Sequence, residues 1–230
     1  MEIRFIGTGG AFDPEFGNSS ALITCNGKTY LIDCGFTIYA SLKKHDLFNK
    51  IDYVLLTHLH NDHTGSLVNT VLHYNLISHP GKKLKLVYPT KKFKKQINRM
   101  MDIALMDSDV FAEWISIDEL KNVIAIDTHS RHVNEYQTWG YIFNEGDEVI
   151  VYSGDIEDGD FIFRKLKKKK IGKATVFHEI SFKEIPGHTH YSTLKKYLDH
   201  YSIYGYHCNP TKNVSDNPIP LVADHPEFLL

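Results

Sequence analysis

The sequence predicts an α/β fold of layered sheets and helices, and three features of the chain carry that expectation. Short apolar strands alternate with helical patterns along most of the length. Histidine and aspartate collect in the loops that follow those strands. No internal repeat or interdomain linker breaks the 230 residues, a length that suits one domain with a large buried core and is short for two. Residues 1–230 are therefore read as one domain, ending in an irregular tail over 209–230.

The elements follow in order. Ile3-Arg4-Phe5-Ile6 is a short apolar strand stopped by Gly7-Thr8-Gly9-Gly10. Ala21 to Thr24 and Thr29 to Ile32 read as two strands around Asn26-Gly27, a dipeptide that is a strong hairpin signal between apolar runs. Asp33-Cys34-Gly35 stands at that strand end, and Ile38 to Lys44 suits a short helix. Tyr53-Val54-Leu55-Leu56 is a continuous apolar strand running into Thr57-His58. The spacing of Leu67, Val71, Tyr74 and Leu76 suits a helix over 65–77, and Lys91 to about Met106 a second helix with a basic outer face. Strands are expected at Leu84 to Tyr88, Val123 to Ile126, Thr138 to Phe143, Val149 to Tyr152 and Thr175 to His178, with a helix at Ser192 to Tyr201. The tail from Asn209 carries Pro210, Pro218, Pro220 and Pro226, and either wraps the body or stays mobile.

Composition narrows the function classes. Apolar residues at 42% and charged residues at 23% are ordinary for a soluble globular enzyme. The net charge of −2 supplies no basic field to steer nucleic acid. The Lys91 to Lys95 cluster and the Lys167 to Lys170 run are read as solvated faces, not as a nucleic-acid footprint. No signal peptide and no membrane span of ~18 apolar residues is evident. Three cysteines, Cys25, Cys34 and Cys208, without CxxC spacing make a disulfide framework improbable and fit a reducing cytoplasm. Histidine is the outlier, with 14 residues, and its excess points towards metal chemistry.

The decisive segment is Thr57-His58-Leu59-His60-Asn61-Asp62-His63-Thr64-Gly65. It places three imidazoles and a carboxylate within six positions, directly after a buried strand. In an extended turn, alternate side chains project to one side, so His58 and His60 can hold one ion while Asp62 and His63 face a second. Borderline divalent ions such as zinc accept these ligand types.

In these residues the chain resembles the metallo-β-lactamase superfamily, whose HxHxDH motif this is. Gly7-Thr8-Gly9-Gly10, Gly17-Asn18-Ser19-Ser20 and Leu31-Ile32-Asp33-Cys34-Gly35 are similar to the N-terminal signature of its ribonuclease Z branch. Tyr152-Ser153-Gly154-Asp155 resembles the strand end that supplies a metal-bridging aspartate, and His178-Glu179-Ile180-Ser181-Phe182 that branch's His-Glu-Ala-Thr-Phe element. His190-Tyr191-Ser192-Thr193 resembles the downstream His-Ser-Thr, with one inserted residue. The resemblance implies an αββα sandwich with the site at one edge of its two sheets.

Residue by residue, the resemblance implies a first metal on His58, His60, a third histidine and Asp155. The third histidine should precede a Gly-Tyr strand, here Gly140-Tyr141; His129 and His132 both qualify, and spacing favours His132. A second metal takes Asp62, His63, Asp155 and a late histidine, His207. Asp33 is implied to orient the motif through hydrogen bonds, a satisfied turn carboxylate being the alternative. Asp62, Glu179 and His190 are the expected catalytic residues. Glu179 pairs with a histidine that protonates the leaving group, either His188 or His190, and His190 is preferred because it adjoins the helix start.

These implications add up to a hydrolase with two divalent metal ions, zinc by ligand type, with manganese or iron also suited to such ligands. A water shared by two ions ~3.5–4 Å apart ionises near neutral pH and becomes the nucleophile. The expected substrate is a small or cyclic phosphodiester, because the 22 residues between His132 and Asp155 are too few for the tRNA-binding arm of ribonuclease Z enzymes. A ribonuclease Z-like tRNA 3′ endonuclease and a carboxylic ester, lactone or thioester hydrolase are the alternatives. Nucleic acid is a disfavoured partner, no membrane partner is expected, and homodimerisation is left open.

Overall fold

Alternation along the strands explains how two sheets stack. A computed structural model describes residues 1–134 and 136–230. The first sheet runs in the order β1 (Glu2–Gly7), β2 (Ser20–Cys25), β3 (Lys28–Ile32), β4 (Tyr53–Leu55), β5 (Leu84–Tyr88) and β6 (Ala112–Ser116). The second holds β7 (Val123–Asp127), β8 (Trp139–Glu145), β9 (Glu148–Tyr152), β10 (Thr175–Glu179) and β11 (Ser202–Tyr206), in the order β11-β10-β9-β8-β7. On the second sheet, Tyr141, Phe143, Tyr152, Phe177 and Tyr206 point into the space between the sheets, where Phe5 packs 5.4–6.0 Å from three of their rings. Their neighbours Ile142, Val151, Val176 and Ile203 point the other way, into a second core. A period of two thus feeds two cores from one sheet, and strands buried on both faces read as unbroken apolar runs.

Helices cover the outer faces. Ile38 and Leu42 of α1 (Ile38–Lys44) join the core with the first sheet. A single helical turn, α2 (Asn61–Thr64), is followed by α3 (Leu67–His73), which adds Leu67 and Val71 to that core. Phe93, Ile97 and Met101 of α4 (Lys91–Ile103) recur every four residues and are buried, as one stripe of an amphipathic helix should be. Thr90 caps it by accepting the Phe93 N–H. A short α5 (Ser108–Phe111) leads into β6. Phe161, Ile162 and Leu166 of α6 (Gly159–Lys168) pack under the second sheet. The order helix, sheet, sheet, helix is the predicted αββα sandwich.

Some elements differ from expectation. β6, α5 and α6 lie in stretches to which the sequence pattern assigns no element. The Lys167 to Lys170 run closes α6, where cations favour the negative helix end. The helix expected at Ser192 to Tyr201 is a 3₁₀ run, Tyr191–Tyr197. The tail wraps the body: Leu229 bridges to Phe5 and Leu221 to Gly205.

The strand directions place the site. β3 to β6 are parallel, as are β9 to β11. His58, Asp155 and His207 all stand just past the carboxyl ends of parallel strands, β4, β9 and β11, at the edge where α/β sheets gather ligands.

Candidate metal centre

Alternation holds for the first half of the motif and gives way to a helical turn in the second. His58 and His60 stay in extended chain after β4, and His60 opens α2, so Asp62 and His63 come from a helical turn and not from an extended one. Gly35 permits this packing, since a Cβ there would meet the Asp62 carbonyl oxygen at 1.9 Å.

Two ligand clusters result. His58 Nε2 lies 2.9 Å from His60 Nδ1, which lies 3.1 Å from His132 Nε2. Two nitrogens ~2.0–2.1 Å from one tetrahedral ion sit about 3.3 Å apart, so the three fit one ion closely. Asp62, His63, Asp155 and His207 form the second cluster. Asp155 Oδ2 lies 3.4 Å from His63 Nε2 and 3.3 Å from His207 Nε2, and also 3.9 and 3.8 Å from His58 and His132 Nε2. One carboxylate therefore faces both groups. The sequence-predicted set of His58, His60, Asp62, His63, His132, Asp155 and His207 is brought together here. His129 is not: its Nδ1 bonds the Tyr136 carbonyl in an exposed loop.

Hydrogen bonds behind the ligands set which nitrogen is free. Asp33, fully buried, accepts from Thr57 N–H at 2.7 Å and from Thr57 Oγ1–H at 2.8 Å. It also accepts from His63 Nδ1–H at 2.7 Å, leaving His63 Nε2 for an ion. His58 Nδ1–H donates in turn to Thr57 Oγ1, 3.1 Å away, and His132 Nδ1–H to the Gly187 carbonyl at 2.7 Å. Asp33 thus holds the orienting place its resemblance implied. Thr57 was missed, and its signal was adjacency to His58 at a buried strand end. Asp33 and His207 adopt left-handed φ of 61° and 63°, local strain of the kind that collects at functional sites.

The donor set fits divalent ions. Asp155 Oδ1 and His63 Nε2 are buried without a hydrogen-bond partner among the described residues, and a bound ion would satisfy such atoms. Burial pushes His58 well below its ordinary value, helped by the neighbouring histidines. Burial opposes ionisation of Asp155 too, yet His207 and His63 hold its carboxyl well below the usual range. Neutral His58, His60 and His207 beside an ionised Asp155 are in the protonation states that ligate metal. Burial opposes protonation of His63, but Asp155 and Asp33 hold it well above its ordinary value, so an ion at its Nε2 must displace a proton.

Beside this centre stands a carboxylate–histidine pair, and it corrects one expectation. Glu179, at the end of β10, accepts from Ile156 N–H and Thr189 N–H on Oε1 and from His188 Nδ1–H on Oε2, at 3.2 Å. His190 is elsewhere: its Nδ1 meets Ser192 Oγ at 2.8 Å and it stands at the residue just before the 3₁₀ run. The reason is Thr189, whose N–H reaches Glu179 and whose hydroxyl reaches the Ile156 carbonyl. That anchor turns residue 188 inward and residue 190 outward. His188 also lies with His132 and Asp155, ligand-capable atoms within 4.8 Å. Burial opposes protonation of His188, but the Glu179 hydrogen bond and charge raise it to about 9.

Comparison with known proteins shows the family and the fold. The family described as Anti-Pycsar protein Apyc1 matches residues 1–219. A protein of that name from Bacillus phage BSP38 is 28% identical over 202 residues, covering 79% of this chain and 77% of the relative. Among solved structures, the short form of human tRNase Z aligns with a TM-score of 0.65 at 21% identity, over 93% of this chain and 95% of its own. A diphosphatase of the PhnP family aligns at 0.65 and 18% identity, over 95% and 93%. The last two show the fold, and the sequence match shows the lineage: the chain is a metal-dependent hydrolase of metallo-β-lactamase fold and belongs to the Anti-Pycsar Apyc1 family.

Proposed function

We propose that the protein hydrolyses a small cyclic phosphodiester, a cyclic nucleotide in particular, with His188 as general acid and Glu179 as its partner. The observation that carries this reading is the His188–Glu179 pair beside two ligand clusters, with Asp155 in one of them and facing the other. Membership of the Anti-Pycsar Apyc1 family supports the substrate class. So does the chain between His132 and Asp155, most of which is the β8–β9 hairpin, with no arm for tRNA among the described residues.

His58, His60 and His132, and Asp62, His63 and His207, with Asp155 facing both sets, would hold two divalent ions, which when bound would supply Lewis-acid polarisation of phosphoryl oxygens and a lowered pKa for water. Zinc is our proposal for the metal, from the nitrogen-rich ligand set. The chain's residues do the rest. With Nδ1–H bound to Glu179, His188 keeps Nε2–H free as a donor. As a water oxygen bonds to phosphorus and one ester P–O bond breaks, that proton passes to the departing oxygen. Glu179 stabilises the cationic imidazole beforehand and keeps its ring oriented. Asp62, placed in the sequence reading with the catalytic residues, serves as a ligand in this arrangement.

The test is a turnover screen of metal-loaded protein on 3′,5′-cyclic nucleotides, bis(p-nitrophenyl) phosphate, precursor tRNA, a lactone, a thioester and a cephalosporin. Conversion of cyclic nucleotides to monophosphates, well above the cephalosporin rate, is expected. Turnover of the lactone or thioester alone, or efficient tRNA cleavage, overturns the assignment.

A further inference from the structure

A cleft of about 730 Å³ opens directly from the His58 and His60 side of the centre. Its far wall is one face of α4, where Gln96, Arg99, Met100 and Ile103 recur at helical spacing beside the buried stripe of Phe93, Ile97 and Met101. Val133 and Tyr136, from the loop that carries His132, close the opposite side. Nothing in the hydrolytic step uses these residues. Its size lies within the ~300–1,000 Å³ usual for small-molecule sites.

From this juxtaposition we propose that the cleft is the nucleoside subsite of the centre, with Tyr136 and Arg99 holding the base. The inference rests on the cyclic-nucleotide reading above and extends it to residues. A nucleobase is a flat apolar body with polar edges. The cleft offers the matching parts, with apolar side chains on both walls and a guanidinium and an amide on the α4 wall. Ile103 and Tyr136 are 76% and 52% exposed, so apolar surface stands in water at the cleft and is covered when a base enters. A phenol ring and a guanidinium plane are the groups on which bases stack, and Arg99 adds donors for a base carbonyl or ring nitrogen. Because the cleft is continuous with His58 and His60, a phosphoryl group at the centre places its nucleoside within reach of both.

The opposite side of the centre supplies the control. There a smaller cleft of about 370 Å³ is lined by Phe12, Phe182, His188 and His207. The experiment measures kcat and KM of metal-loaded Arg99→Ala, Tyr136→Ala and Phe12→Ala on 3′,5′-cyclic AMP and on abasic ribose 3′,5′-cyclic phosphate, which lacks only the base. All three side chains are exposed, so their removal leaves the fold intact. The expected result is a KM for cyclic AMP raised ~10-fold in Arg99→Ala and in Tyr136→Ala, from the lost stacking and donor. The loss on the abasic compound should be at least several-fold smaller. Equal losses on both compounds, or an increased KM in Phe12→Ala alone, overturn the subsite while leaving the cyclic-nucleotide reading intact. If the wild type cleaves bis(p-nitrophenyl) phosphate but no cyclic nucleotide, that reading falls, and the subsite with it.

Discussion

Asp33→Asn tests the logic of the centre without touching a ligand. The buried carboxylate accepts three hydrogen bonds, at 2.7 Å from Thr57 N–H, 2.8 Å from Thr57 Oγ1–H and 2.7 Å from His63 Nδ1–H. Asparagine fills the same volume but presents one acceptor and one donor amide. With its oxygen kept on Thr57 N–H, its NH₂ faces His63 Nδ1, where two donors cannot meet. His63 must then move its proton to Nε2, the atom 3.2 Å from Asp62 and 3.4 Å from Asp155 that faces the second metal position. A protonated Nε2 cannot ligate. The cost is about one hydrogen bond to a charged group, ~1.5–3 kcal/mol, or roughly 10–150-fold in affinity at ~1.4 kcal/mol per tenfold. That agrees with the ~10–100-fold typical for loss of a ligand's outer partner. Zinc titration against a chromophoric chelator resolves the two affinities, and urea unfolding of the metal-free protein shows whether the fold is kept. The second site should weaken by that factor while the site of His58, His60 and His132 changes little. Unaltered binding at both sites, or equal weakening of both, would refute the tautomer argument.

Other expectations follow from the same geometry. Asp155→Ala should impair both ions and abolish hydrolysis, because one carboxylate faces both clusters; metal analysis that still finds two ions per chain speaks against bridging. His132→Ala should weaken mainly the first site and His129→Ala should be mild, so a damaging His129→Ala would mean that a different histidine completes the cluster. His188→Ala should keep its metal while losing ~10²–10⁴-fold in rate, most for poor leaving groups, since p-nitrophenolate departs without a proton. Glu179→Gln should move the basic limb of the pH–rate profile down, because the carboxylate is what raises His188 to about 9; an unmoved limb, or full activity in His188→Ala, removes the pair from proton transfer.

Much of this site was legible before any coordinate, because the motif is local. His58, His60, Asp62 and His63 are neighbours in the chain, so backbone geometry over six positions already aims them together. Asp155 and His207 were readable as strand ends, since apolar runs announce strands and the residue after a parallel strand reaches the sheet edge. His132 could be placed by its distance from Gly140, with His129 the open alternative.

The choice between His188 and His190 belonged to the tertiary structure. Both histidines precede the same helical run, and nothing local separates them. What separates them is Thr189, held by Glu179 from β10 and by the Ile156 carbonyl beyond β9, contacts between residues 10 and 33 positions apart. The same holds for Thr57 and Asp33, joined across 24 positions, and for the tail, whose proline-rich sequence hides that Leu229 ends beside Phe5. Periodicity and ligand spacing are properties of neighbouring residues and survive in a one-dimensional reading. A hydrogen bond between distant strand ends exists only once packing has brought them within 3 Å, and that decided which histidine faces the centre.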